Sequence, residues 1–349
     1  MQQTEKQIAS MTRTKREILL ELKDKATAAI KAAWNLAKNM TAKTFYVALR
    51  VKDFLTAPLR RLWSSVINPL AMGLSALGLG VSFTGAMNTF NEFKSSMSEV
   101  QALTGATSEQ FESLENQARQ LGASTAFSAT EAAKGMSYLG MAGWKTQEIM
   151  AAMPGLLDLA AAGGTDLATT ADIVSDVMTA MGMAADQAGR AADVFAATAT
   201  SSNTTIEGIG NAMKYAAPIA KSFGLSLEQT SAMIAMMANA GIKGSKAGTA
   251  MRASLLNIAT PTDKANGLLK KMGITFATSS GQMKEISTIV GDLSKGFAGL
   301  TEQQRLQYAE VIFGTEASSA WLSILDQGVG TLDSLTTQFE NSAGAAEKM

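Results

Sequence analysis

The 349-residue chain has no cysteine and no histidine. Their absence removes disulfide stapling, thiolate and imidazole metal sites, cysteine nucleophiles and every histidine-dependent triad. Of the usual catalytic repertoire, a carboxylate-only metal site or a carboxylate pair survives. Aromatic residues reach only 6%, too few to furnish the strands of a β-sandwich. Proline is scarce at 5 residues against 30 Gly and 21 Met, a balance that suits short helices packed on one another and separated by glycine turns. Hydrophobic residues at 46% suffice for a buried core, in two domains or one large one. Net charge is zero, but residues 1–61 carry an excess of eight positive charges and the remainder an equal negative excess. A basic head precedes an acidic body.

In the head, Ile18, Leu22, Ala26, Ala29, Ala33, Leu36, Met40, Thr44, Val47, Val51 and Phe54 recur at steps of three and four. That is the helix period, and no proline interrupts it before Pro58. Lys23, Lys31, Lys38, Lys43, Arg50 and Lys52 fall on other faces. Residues 1–61 therefore read as a basic amphipathic helical segment, able to pack on partner helices while showing positive charge. Thirty uncharged residues follow between Arg61 and Glu92. They exceed the length needed to cross a bilayer. Asn68, Pro69 and the glycines 73, 78, 80 and 85 equally suit a protein-buried connector. For 62–90 both readings stay open.

From residue 91 on, helix-start signals recur. Thr107 with Gln110, Ser128 with Glu131, Thr204 with Glu207, Ser226 with Gln229 and Thr301 with Gln304 fit the capping box. There the hydroxyl accepts from the third amide and the acidic or amide side chain reaches back. Gly122, Gly164, Gly182, Gly224, Gly241 and Gly273 supply stops. No alternating strand run appears, so the expected class is all-α: a multi-helix bundle of short helices over 91–349. A weak echo relates SATEAAKGMSYLGMAG from Ser128 to TTIEGIGNAMKYAAPIA from Thr204, with Met136/Met213 and Tyr138/Tyr215 in register. It predicts two copies of a helical unit, displaced by the separation of Ser128 from Thr204 with a small gap between them.

Residues arranged for chemistry are few. GIKGSKAGT (Gly241 to Thr249) lacks the Gly-Lys-Ser/Thr order of a phosphate loop and the strand before it, and reads as a tight helix–helix turn. Leu77-Gly78-Leu79-Gly80 lacks the third glycine of a dinucleotide fingerprint. Asp172 and Asp176 share a helix face at i, i+4, but a glycoside-cleaving pair would need an aromatic-lined groove. They read as solvated helix charges. Met233, Met236 and Met237 read as core filler. No catalytic, cofactor-binding or metal-ligating residue is nominated, and no cofactor is expected.

Longer phrases carry a resemblance. ALTGAT (from Ala102), ARQLGASTAFSATEAAKGMSYLGMAG (from Ala118), LAAAGGTDLATTADIVSD (from Leu159), NAMKYAAPIAKSFG (from Asn211), MMANAGIKGSKAGTAMRASL (from Met236) and IFGTEA (from Ile312) are ordered and correctly spaced. From Phe90 to about Met349 the chain resembles the core region of TP901-type tail tape measure proteins of long-tailed bacteriophages. Members are usually longer and continue past the Gly344-Ala345-Ala346 phrase, so the resemblance predicts that this chain is a piece of a longer protein. It further implies a non-enzymatic protein made in the bacterial cytoplasm that occupies the lumen of the tail tube in the virion. There it would set tail length and assist DNA delivery. Implied partners are the tail tube protein, tail assembly chaperones, tail tip or baseplate proteins, further copies in the tube and, transiently, the host membrane. No sequence-specific nucleic acid is implied. The rival reading is a membrane-active, pore-forming delivery module acting at genome entry, suggested by the uncharged run and its flanking cations.

Overall fold

A computed structural model of the chain describes residues 83–349. The basic segment 1–61 and the uncharged segment up to residue 82 lie outside the described residues. The chain divides into two units, Met1–Thr89 and Phe90–Met349, and the architecture described here is that of the second. Helices α1 (Phe83–Thr104), α2 (Ser108–Ser124), α3 (Ala129–Met141), α4 (Thr146–Gly163) and α5 (Leu167–Met181) come first. Next are α6 (Ala188–Ser201), α7 (Ile206–Ser222), α8 (Leu227–Asn239) and α9 (Ser245–Ala259). The order ends with α10 (Asp263–Met272), α11 (Ile286–Phe297), α12 (Glu302–Phe313), α13 (Thr315–Glu340) and the short α14 (Ala345–Lys348). The single β pairing among the described residues is an isolated bridge between Ala277 and Met283. The all-α expectation holds.

Local chemistry starts these helices where the sequence says it should, with one shift. The boxes at Thr107, Ser128, Ser226 and Thr301 are all formed in both directions. At the remaining expected box the cap is Thr205, which accepts from the Gly208 amide at 3.1 Å, and not Thr204. Starting one residue later places Ile206 in the first helical position, where it is buried. Asp166, accepting from the Thr169 amide at 3.0 Å, is a cap that the box pattern does not reveal. Of the expected stops, Gly122 fails: α2 runs on to Ser124. A β-carbon there would lie 2.3 Å from the Ala129 amide nitrogen, so glycine serves a close approach and not a stop.

Packing follows a repeat. The helix starts Ala129, Leu167, Ile206 and Ser245 are almost evenly spaced along the chain. α3 packs on α5, α5 on α7 and α7 on α9, while α4 packs on α6, α6 on α8 and α8 on α13. Successive helical hairpins thus stack side by side in two layers, first helices in one and second helices in the other. Burial repeats with the same step. In the first layer Leu167, Val174, Val177 and Met181 recur one hairpin later as Ile206, Met213, Ala216 and Ala220, all buried. In the second layer Ile149, Leu156 and Leu159 recur as Ala188, Phe195 and Thr198, then as Leu227, Ile234 and Met237. The echo in the sequence, with Met136 and Met213 fully buried and Tyr138 and Tyr215 similarly exposed at 37% and 38%, spans two such steps. The structural unit is therefore half as long as the sequence echo suggests.

First-layer helices approach closely at Gly210 and Gly248. A β-carbon on Gly210 would meet Ile173 at 2.7 Å, and one on Gly248 would meet the Ala212 carbonyl oxygen at 2.1 Å. Backbone cannot step aside as a side chain can, so the second site is the stricter. Gly248→Ala is expected to destabilise the fold by about 2 kcal/mol or more, as overpacked cores do. Gly267→Ala, in the open interior of α10 with no atom within 4 Å, should stabilise it by about 0.5–1 kcal/mol. Chemical denaturation of the two variants reads both signs.

Candidate functional surface

A groove of about 340 Å³ lies between α5 and α7. Its position follows from the hairpin register, which sets these two first helices side by side. Ile173, Val177 and Met213 contribute apolar lining, with Ile173 filling the space a β-carbon at Gly210 would need. Asp172 and Asp176 stand on the α5 side, with Glu207, Asn211 and Lys214 on the α7 side. Burial raises the Asp172 carboxyl above its usual value; the neighbouring Asp176 charge adds to this and Lys214 opposes it. Both carboxylates are exposed, as a solvated helix face requires, at the edge of this groove. Sequence spacing put both carboxylates on one face, but it did not reveal that α7 lies opposite them.

No tryptophan or tyrosine lines this groove. Among the described residues no group of three acidic side chains could hold a metal ion. What the groove offers is an apolar lining beside three carboxylates and one ammonium. A separate carboxylate cluster lies where α14 meets α4 and α6. Asp193 accepts from the amides of Gly344 and Ala346 at 2.9 and 3.0 Å. Burial raises nearby Asp158, and the charges of Glu347 and Asp193 raise it further.

The glycine cluster from Gly241 forms the turn between α8 and α9, with Gly241 and Gly244 at φ 85° and 56°. Met233, Met236 and Met237 are fully buried in α8, as core filler. No helix among the described residues is long and apolar enough to cross a membrane.

These features belong to an all-α scaffold with a charged groove on its surface. A family model described as phage-related minor tail protein matches residues 115–314, more than half of the chain. The chain belongs to that family. The match runs from within α2 to Gly314 and so takes in the whole stack of hairpins. Among curated proteins, the tape measure protein of Pneumococcus phage Dp-1 is 42% identical over 302 residues, 86% of this chain and 26% of that protein. The probable tape measure protein of Escherichia phage P2 is 34% identical over 287 residues, 79% of this chain and 35% of that protein. The minor tail chain thus spans about a quarter to a third of the length of these relatives. No solved structure matches it.

The pH dependence of this minor tail protein follows from the signs of its carboxylate shifts. Asp172 and Asp158 have raised values, so their charged forms oppose folding near neutrality and that penalty fades as pH falls through their folded values. Asp166 and Glu131 are held low by hydrogen bonds from Thr169 and Ser128. They stabilise above their ordinary range, and that stability is lost as pH falls through their lowered values. Asp172→Asn should therefore raise stability at pH 7 by less than about 1 kcal/mol, water screening the partly exposed site. The gain should vanish below the ordinary aspartate value of 3.8. Asp166→Ala should cost about 1 kcal/mol at pH 7, the loss of a helix cap. Urea midpoints at pH 7 and pH 3 separate the two.

Proposed function

We propose that this chain is the core part of a tail tape measure protein, which lies in the lumen of the tail tube and sets tail length without catalysing a reaction. The supporting observation is the pair of curated relatives carrying that name, whose similarity covers 79–86% of this chain. An α-helix rises about 1.5 Å per residue, so residue count converts to length only where helices run end to end. In 129–259 the chain folds back at each hairpin, with helices of 13 to 18 residues. The length-setting segment is therefore assigned to long helices elsewhere in the parent protein. The hairpin stack is assigned to docking on partners of the tail: the tube protein, the assembly chaperones, tip or baseplate proteins and further copies.

Assistance in DNA delivery is a second reading, carried by the uncharged run from residue 62 to 91. Two measurements separate the roles. In-frame deletion of n residues from the parent gene outside 91–349 should shorten tails by about 1.5n Å, seen by electron microscopy. Deletion of one hairpin inside the core should abolish tails instead of trimming them. Tails of unchanged length in the first series would remove the ruler role. Dye release from anionic liposomes by the segment 55–95 tests delivery, and indifference to lipid would count against it.

A further inference from the structure

The hairpin stack is closed on its second-layer side by an element outside the repeat. After Gly314, where the family match ends, α13 and α14 run back across the second layer. α13 packs on α9, α8 and α6, and α14 on α6 and α4, which is the hairpin order reversed. The two halves of α13 are anchored unequally. Before Gly328, the segment buries Ala317, Ala320, Trp321, Ile324 and Leu325. Trp321 there stacks on Phe313 at 4.5 Å, and Arg305 pairs with Asp326. Gln327 also donates to the Met236 carbonyl at 2.9 Å. After Gly328, four buried side chains remain, Leu332, Thr336, Phe339 and Ala346.

The inequality is in apolar burial, since polar ties hold the second half as well. Gln338 donates to the Ser201 hydroxyl at 2.7 Å, and the Asp193 carboxylate holds the amides of Gly344 and Ala346. One more tie, from the Ser287 hydroxyl to Asp333, reaches α11. Between the halves, Gly328 has φ 79° and ψ 165°, a conformation that glycine adopts freely and that breaks the helix. Closure also leaves the Thr336 hydroxyl of α13 buried without a partner. Buried unpaired groups disfavour the closed state relative to one that water can enter.

We propose that residues 329–348 form a releasable strap. It lifts from the stack by rotation at Gly328 while the hairpins and the first half of α13 stay folded. Lifting releases the ties of this segment to Asp193 and Ser201 of α6 and to Ser287 of α11, and opens that side of α6 to solvent. The strap follows from the fold alone and stands apart from the tape measure reading.

Hydrogen exchange on the full chain tests it. Amides of 329–348 should exchange at least about tenfold faster than those of α5, α7 and 317–325, reporting opening below global unfolding. Asp193→Asn should speed exchange in 329–348 by a further fivefold or so, the loss of one helix-capping carboxylate, and leave α5 and α7 unchanged. Because the chain has no native cysteine, a short bis-maleimide at low protein concentration can link a Ser201→Cys, Gln338→Cys pair as a staple. Linking should slow 329–340 and nothing in α5 or α7. Equal exchange in the strap and the stack, or a staple that changes neither or both together, would overturn the proposal.

Discussion

The close approach of neighbouring first-layer helices is the constraint on which the rest depends. Where α7 meets α9, the Ala212 backbone occupies the space that any side chain at 248 would need. Where α5 meets α7, Ile173 fills the space above Gly210. Close axes let the small alanine- and methionine-rich side chains of this core touch their neighbours, since protein interiors must fill to crystal-like density. With larger residues at these sites the layers would separate, and the small residues around them would line voids. The even spacing of hairpins along the chain is the sequence counterpart of that geometry: it returns each small residue to the same height on the next hairpin.

That register also explains which charged groups come together. Helices laid side by side bring charged outer faces into facing pairs, so Asp172 and Asp176 lie opposite Glu207 and Lys214. In the second layer the same adjacency pairs Arg190 of α6 with Glu228 of α8, at 2.5 Å, with the carboxylate almost wholly buried. A buried carboxylate is tolerated only with such a partner. Binding chemistry here is a by-product of stacking: grooves between hairpins receive whatever charge the outer faces carry. The charge of such grooves can therefore change without disturbing the core.

Much of the fold was legible in residue types. Four of five capping boxes form as the sequence indicates, because the box is a local exchange of hydrogen bonds needing nothing beyond four residues. The fifth slips from Thr204 to Thr205, since either hydroxyl can cap and burial of Ile206 decides between them. Gly122 looks like a stop because glycine's two uses, left-handed turns and close approach, are identical in a sequence. The groove was half legible. The i, i+4 spacing of Asp172 and Asp176 gave their shared face, but their partners across the groove belong to the next hairpin.

By itself the sequence determined helix, cap and class: the absence of histidine and cysteine, the helical spacing and the capping pairs are statements about a few adjacent residues. It also held the echo between Ser128 and Thr204, yet at twice the structural period, since the intervening hairpin keeps burial and size without keeping identity. Only tertiary structure decided that the unit is a single hairpin and that α13 and α14 close the second layer. Those outcomes depend on which surfaces fit at a distance, and packing selects volume and shape, which many different residues can supply equally well.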